Sequence, residues 1–345
     1  SNRIKITNVK LMLRLYSKIT FTSKTDGKAI VFDFVNEVET NQSYEDLTQT
    51  ASITIPRKLN FDGKPIAVGN NAIFKRGDRV KIELGYYPNL LTVFTGYIAK
   101  VHPKTPIQIE CEDEMFLLKN RLILKYSEEK VSLKDLMKYV LGSSVNYKLL
   151  IDVPNLGSFK LSNVTAAKVL DTLKRDFGIY SNFVDGVLNI GLAENATDTN
   201  TEEFRFEETI IDDNALEYYR IDDVRLKVKA ISMKLNNTKT EVEVGDEDGE
   251  IKTFHAFDLS ESELKQFANI KLNTFKYEGY RGSFETFGEP YVRTGDNAKL
   301  TSKKFPEKNG TYIIKNITRR FGMAGYRQII ELGLKTAWKI KSQKL

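Results

Sequence analysis

Two stretches of the chain spell nearly the same phrase. Phe74–Tyr86 reads FKRGDRVKIELGY, and FTGYIAKVH follows from Phe94. Tyr291–Leu300 reads YVRTGDNAKL, and NGTYIIKNITRRF follows from Asn309. A Gly-Asp pair ahead of an apolar alternation is a turn that launches a strand. Glycine adopts backbone angles closed to other residues, and aspartate accepts hydrogen bonds from turn amides. With Thr294 taken as an insertion, Phe74, Arg76, Gly77, Asp78 and Lys81 answer Tyr291, Arg293, Gly295, Asp296 and Lys299. Gly96-Tyr97-Ile98 answers Gly310-Thr311-Tyr312 with an offset of one, and IQIECED answers QIIELG. Unrelated hairpins share this grammar too. Each copy, however, sits near the end of a strand-rich block, which favours an internal duplication of a β-unit.

The rest of the chain divides around that duplication. Residues 1–121 read as strands: Ile53 and Ile55 point one way and Thr54 the other, and the run from Ala29 is apolar on both parities. Turn residues such as Asp62-Gly63 and Pro88-Asn89 punctuate them, so this block is expected as an antiparallel barrel. Residues 122–203 change period. Leu133, Leu136, Met137 and Val140 form one helical face behind the N-cap Ser132. Val169, Leu170, Leu173 and Phe177 form a second, between Thr165 and Gly178, and Asp185-Gly186 predicts a two-residue hairpin. This is a small α/β module, ending in an acidic loop from Ala193 to Glu203. Strands return over 204–345, with a predicted hairpin through Asp248-Gly249, one helix behind Ser260, and a basic tail from Lys335 bearing Trp338. The expected fold class is mainly β, with two similar antiparallel β-barrels per chain around the module.

Composition removes several function classes. At 345 residues with 41% hydrophobic and 28% charged residues, the chain can bury two or three ordinary cores. Cys111 stands alone, so neither an intrachain disulfide nor a thiolate metal cage is available. His102 and His255 are too few for a zinc site, and no cofactor motif is present. No apolar run reaches the roughly 18 residues a membrane span needs, and Ser1–Ile6 shows no signal-peptide pattern. The net charge of +6 is unevenly spread: Glu194–Asp223 is acidic and the chain from Lys299 is basic. That layout suits surfaces that meet other proteins or copies of the chain.

Candidate sites are weak. Arg76-Gly77-Asp78 matches an integrin tripeptide, but here it starts a strand. GDEDGE from Gly245 lacks the twelve-residue calcium-loop pattern. Glu110, Glu112 and Glu114 share a strand parity, so they, or Glu247–Glu250, would serve a carbohydrate-active protein. The basic, aromatic-bearing segment Lys299–Arg327 would serve nucleic-acid binding, with Tyr312, Phe321 and Tyr326 available to stack.

The phrases FKRGDRVKIELGY and VFTGYIAKV, the module ending DGVLNIG, and above all GSFETFGEPYVRTGDNAKLTSKKFPEKNGTYIIKNITRRFGMAGYRQIIELG also stand in a recognisable order. In that order the chain resembles the baseplate hub proteins of contractile-tailed phages. These include late control protein D-type tail proteins and the hub half of type VI secretion spike proteins. The resemblance implies a non-enzymatic homotrimer in the virion tail baseplate, made in the bacterial host cytoplasm. Two barrels on each of three chains would make six units, joining a sixfold tail tube to a threefold spike. The hub of a phage-derived injection or type VI machine is the alternative. Implied partners are the tube protein, the spike and other baseplate proteins, without a membrane. With Leu345 soon after Leu332, the spike is expected on a separate chain. Gly77, Asp78, Gly96, Gly295, Asp296 and Gly310 are the expected barrel anchors. Lys303, Lys304, Arg319, Arg320 and Arg327 are the expected basic patch, at an interface or along a lumen where non-specific DNA contact is open to it.

Overall fold

Apolar alternation makes most of the molecule strand. The computed structural model describes residues 14–56, 60–61, 64–65, 73–191, 199–234 and 238–336. The first block supplies β1 (Leu15–Thr22), β2 (Ala29–Phe32), β3 (Glu37–Ser43), β4 (Thr50–Ile55), the short β5 (Asn60–Phe61) and β6 (Lys64–Pro65), β7 (Arg79–Tyr86), β8 (Asn89–His102) and β9 (Ile107–Glu112). In β4, Ala51, Ile53 and Ile55 are buried while their neighbours are not, the period of a half-buried strand. Asp62-Gly63, the start of the acidic loop, and the tail beyond Thr336 with Trp338 lie outside the described residues.

The first block ends not in strand but in a short helix, α1 (Met115–Lys119), and the middle block follows with β10 (Leu122–Glu128), α2 (Leu133–Leu141), β11 (Tyr147–Leu149), β12 (Phe159–Thr165), α3 (Ala166–Phe177), β13 (Tyr180–Val184) and β14 (Val187–Gly191). The helices begin at their capping residues. Ser132 Oγ accepts from the Asp135 amide at 3.0 Å, and Thr165 Oγ1 from the Lys168 amide at 3.3 Å. α3 ends at Gly178 in the left-handed region. Leu136, Met137 and Val140 of α2 share one core with Val169, Leu170 and Leu173 of α3 and with Met115 and Leu118 of α1.

The last block holds β15 (Thr201–Arg205), β16 (Ile210–Asp212), β17 (Leu216–Tyr219), β18 (Leu226–Met233), β19 (Lys239–Gly245), β20 (Glu250–Phe257), α4 (Glu261–Phe275), β21 (Gly279–Phe287), β22 (Asn297–Thr301), β23 (Gly310–Gly322) and β24 (Gly325–Lys335). The hairpin expected through Asp248-Gly249 does not form. β19 and β20 flank β18 on opposite sides, antiparallel and parallel to it. Leu226, Val228 and Ala230 of β18 are buried under Leu264 and Ala268 of α4, so β18 takes the centre. The connecting loop crosses the start of β18 so closely that a Cβ on Gly249 would lie 2.5 Å from the Leu226 carbonyl carbon.

The fold class is mainly β with a small α/β module, but the strands do not close into two barrels. They form one open sheet in the order β16-β21-β24-β23-β3-β4-β9-β8-β7-β1-β2, with β22 and β15 branching from β23 and β17 pairing β21. β23 is the reason. Its first half pairs with β22, and from Asn316 to Gly322 it pairs with β3 instead, which carries the sheet from one block into the other. Two cores still lie against this sheet. One gathers Ile19, Ile53, Ile82 and Ile109; the other gathers Phe204, Phe284, Tyr312 and Ile330. Phe321 and Tyr326, from the tip of the β23–β24 hairpin, belong to the first core. Among the described residues, no helix is long and apolar enough to cross a membrane.

Candidate functional site

The two Gly-Asp turns are built alike, bond for bond. Gly77 and Gly295 both sit at φ 91°, outside the range of ordinary side chains. The Gly77 amide donates to the Ile98 carbonyl at 2.8 Å, and the Gly295 amide to the Ile314 carbonyl at 2.8 Å. The Ile98 amide returns a bond to the Asp78 carbonyl at 2.9 Å, and the Ile314 amide to the Asp296 carbonyl at 2.7 Å. Both aspartates are buried, and each carboxylate collects two backbone amides. Asp78 accepts from Lys75 at 2.8 Å and Lys24 at 3.0 Å; Asp296 accepts from Arg293 at 2.8 Å and Asn200 at 3.0 Å. The outer donor comes from opposite chain directions. Lys24 follows β1, which runs antiparallel to β7, whereas Asn200 precedes β15, which runs parallel to β22.

These bonds revise the residue pairing. Lys75 and Arg293 occupy the same place three residues before the aspartate, so Thr294 is no insertion; it corresponds to Arg76, and Val292 to Phe74. Both of the latter are buried. Val80 pairs with Gly96, as Ala298 does with Tyr312, so Gly96 answers Tyr312 and not Gly310. The substitution is reciprocal in size. A Cβ at Gly96 would lie 2.1 Å from the Glu112 carbonyl oxygen, while Tyr312 is fully buried beside Gly279 and Gly310, which leave room for its ring. The match extends to an irregularity. β8–β9 shifts register between Ile98 and Lys100, and β23–β24 between Ile314 and Asn316, at equivalent positions, while a further shift at Tyr312/Ile314 and one in β7–β8 at Ile82/Glu83 are not shared. β7-β8-β9 and β22-β23-β24 are one three-stranded unit used twice.

The five basic residues do not form one patch. Lys303 and Lys304 lie in the loop before β23 beside Glu207 and Glu208, with Lys303 Nζ 2.6 Å from Glu208. Arg320 lies at the far end of β23, about 30 Å away along the strand, and pairs with Glu39 at 2.8 Å. Arg327 is close by, 3.8 Å from Glu285 and over the Phe287 ring. Arg319 does not reach the surface. It is fully buried, donating to Gln42 Oε1 at 2.8 Å and to the Val292 carbonyl, with Tyr291 under its guanidinium. Strand parity carried this signal, because Ile317, Arg319 and Phe321 all face inward. Thr40 and Gln328 lie abreast of Arg319 on the neighbouring strands and are also fully buried. Each of the three keeps one buried polar atom without a hydrogen-bond partner.

Four of the carboxylates in the stretches proposed for other chemistry are committed to local partners. Glu110 meets His102 at 2.7 Å and Glu112 meets Lys119 at 2.9 Å. Asp246 is held by Lys276 and the Leu226 amide, and Asp248 by Arg225. Among the described residues, no group of three His, Cys, Asp or Glu side chains is arranged to hold a metal ion. Cys111 is buried, and burial pushes its thiol up, away from the reactive thiolate. What the geometry provides is a rigid scaffold presenting two like strand units.

No family model and no curated protein sequence matches this chain. Its fold is shared with solved structures. A tail protein of Neisseria meningitidis MC58 aligns with a TM-score of 0.62 at 12% identity over 94% of this chain and 97% of that one. The 43 kDa tail protein of prophage MuSo2 from Shewanella oneidensis aligns with a TM-score of 0.60 at 13% identity over 92% and 97%. An Escherichia coli component of the type VI secretion system, itself described as similar to T4 tail proteins, aligns with a TM-score of 0.51 at 9% identity over 86% and 72%. The fold is that of phage tail proteins and their secretion-system relatives.

Proposed function

We propose that this chain is the hub subunit of a contractile-tail baseplate, a homotrimer that joins a sixfold tube to a threefold spike. The observation carrying this reading is the twice-used β-unit, with the same turn angles, hydrogen bonds and register shift. Three chains bearing two units each present six near-equivalent surfaces. A closed trimer thereby offers threefold symmetry to one partner and near-sixfold symmetry to another. The shared fold with phage tail proteins supports the setting, and their relatives in type VI machines fit the same geometry. Residues 1–121, 122–203 and 204–345 are the working divisions, with Gly77, Asp78, Gly96, Gly295, Asp296 and Gly310 shaping the repeated units. The role is structural rather than enzymatic. Its partners are the tube, the spike and neighbouring baseplate proteins, with DNA as a non-specific lumen contact.

Light scattering across a concentration series tests the assembly. The expected species has about three times the 39.4 kDa chain mass and forms rings with threefold and pseudo-sixfold features in electron micrographs. A monomer or dimer without rings at the highest soluble concentration would sink the reading.

A further inference from the structure

Thr40, Arg319 and Gln328 form a row of fully buried polar side chains across β3, β23 and β24, with Arg319 in register with both neighbours. Residues directly opposed in this way place their Cβ atoms about 4.5–5.5 Å apart on one face of a sheet. Along β23, Arg319 stands between Ile317 of the second core and Phe321 of the first. The row is therefore a polar layer between the two apolar cores. It crosses the sheet where β23 runs beside β3, within the Asn316–Gly322 pairing that joins the blocks.

Part of this layer is bonded within the protein. Arg319 donates from its two terminal nitrogens, to Gln42 Oε1 and to the Val292 carbonyl. Gln42 Nε2 donates to the Val93 carbonyl at 3.1 Å, and Gln328 Nε2 donates to the Pro290 carbonyl at 2.8 Å. Those bonds fix the orientation of both amides. Three buried atoms are left without a protein partner: Arg319 Nε, Thr40 Oγ1 and Gln328 Oε1. Their chemistry is complementary. The guanidinium N–H can only donate, the amide oxygen can only accept, and the hydroxyl can do either. Burying such groups unpaired is costly, most of all for the charged donor.

We propose that this row is a binding site for one ordered internal water molecule. The water accepts from Arg319 Nε, donates to Gln328 Oε1 and takes Thr40 Oγ1 as its third partner. About three hydrogen bonds to otherwise unsatisfied groups is the usual complement of a buried water. The set of donors and acceptors selects this ligand over an ion. Chloride would answer the guanidinium but would face the lone pairs of Gln328 Oε1, and a metal cation would face the guanidinium itself. Bonded to three neighbouring strands, the water ties β3, β23 and β24 together at the seam between the two cores. The proposal stands apart from the hub reading, since it invokes neither the trimer nor the repeated turns.

Crystals of the full chain test it, one grown natively at a resolution that shows ordered water and one soaked in sodium bromide. The native map should show a single fully occupied oxygen within about 2.7–3.2 Å of both Arg319 Nε and Gln328 Oε1. The bromide crystal should give no anomalous peak at that point. The variant Thr40→Val/Gln328→Leu removes two of the three partners and should lose the oxygen. Three results would overturn the proposal: no density between the three side chains, direct bonds from these atoms to other protein groups, or a bromide peak in the row. An oxygen that persists in the variant would do so as well. The two native crystals decide the question even where the variant fails to fold.

Discussion

At the scale of single residues, burial decides which charges have consequences. Asp113 is buried at the start of α1, and burial pushes its carboxyl up to about 7 despite amide bonds from Gln49 and Met115. In the unfolded chain it ionises near the ordinary 3.8. Between about pH 4 and pH 7 the unfolded state therefore holds fewer protons than the folded one, and stability falls as pH rises through that window. Urea unfolding should show this decline in the native sequence and a flatter profile in Asp113→Asn. Arg319 makes a different demand, because its planar fork reaches Gln42 and the Val292 carbonyl together. Arg319→Ala should cost about 3 kcal/mol by stranding both acceptors, and Arg319→Lys should not restore it, since an ammonium lacks the fork. Denaturant midpoints of the two variants check this.

At the scale of elements, the repeated three-stranded unit makes a prediction that two unrelated hairpins would not. Asp78 and Asp296 each hold two backbone amides at matched distances. Asp78→Ala and Asp296→Ala should each destabilise by about 2–3 kcal/mol, and by amounts that agree closely. A large effect at one and none at the other, in urea titrations, would argue against equivalent turns. The repeat was legible in the sequence from its Gly-Asp pairs and Gly-led return strands. Its alignment was not. Arg76 and Arg293 look alike in print, yet the hydrogen bonds assign Arg293 to the place of Lys75, because a turn is defined by which amide reaches which carbonyl. Helix boundaries were more readable. Ser132, Thr165 and Ser260 are local signals, satisfied by amides three residues away.

At the scale of the whole molecule, one sheet couples the first and last strand blocks. Tyr326, at the β23–β24 hairpin tip, sits in the first core, 6.5 Å from Tyr86 in ring-centroid distance. Tyr326→Ala should cost about 3–5 kcal/mol and should speed labelling of Cys111, which is buried in that same core. Thiol-reagent kinetics would detect it; unchanged labelling with reduced stability would place the damage elsewhere.

The sequence by itself determined strand and helix identity, the inward parity that buries Arg319, and the existence of a repeated unit. Each is written in residues within a few positions of one another, the repeat in two such local stretches. The tertiary structure alone decided that the sheet stays open and that β18 separates β19 from β20. It likewise decided that β23 leaves β22 for β3 and that five basic residues scatter between the two ends of a strand and its interior. Those outcomes depend on which strand edges find each other, between neighbours in sequence for β18 to β20 and across hundreds of residues for β3 and β23, and an edge of backbone amides and carbonyls carries no side-chain code that names its partner.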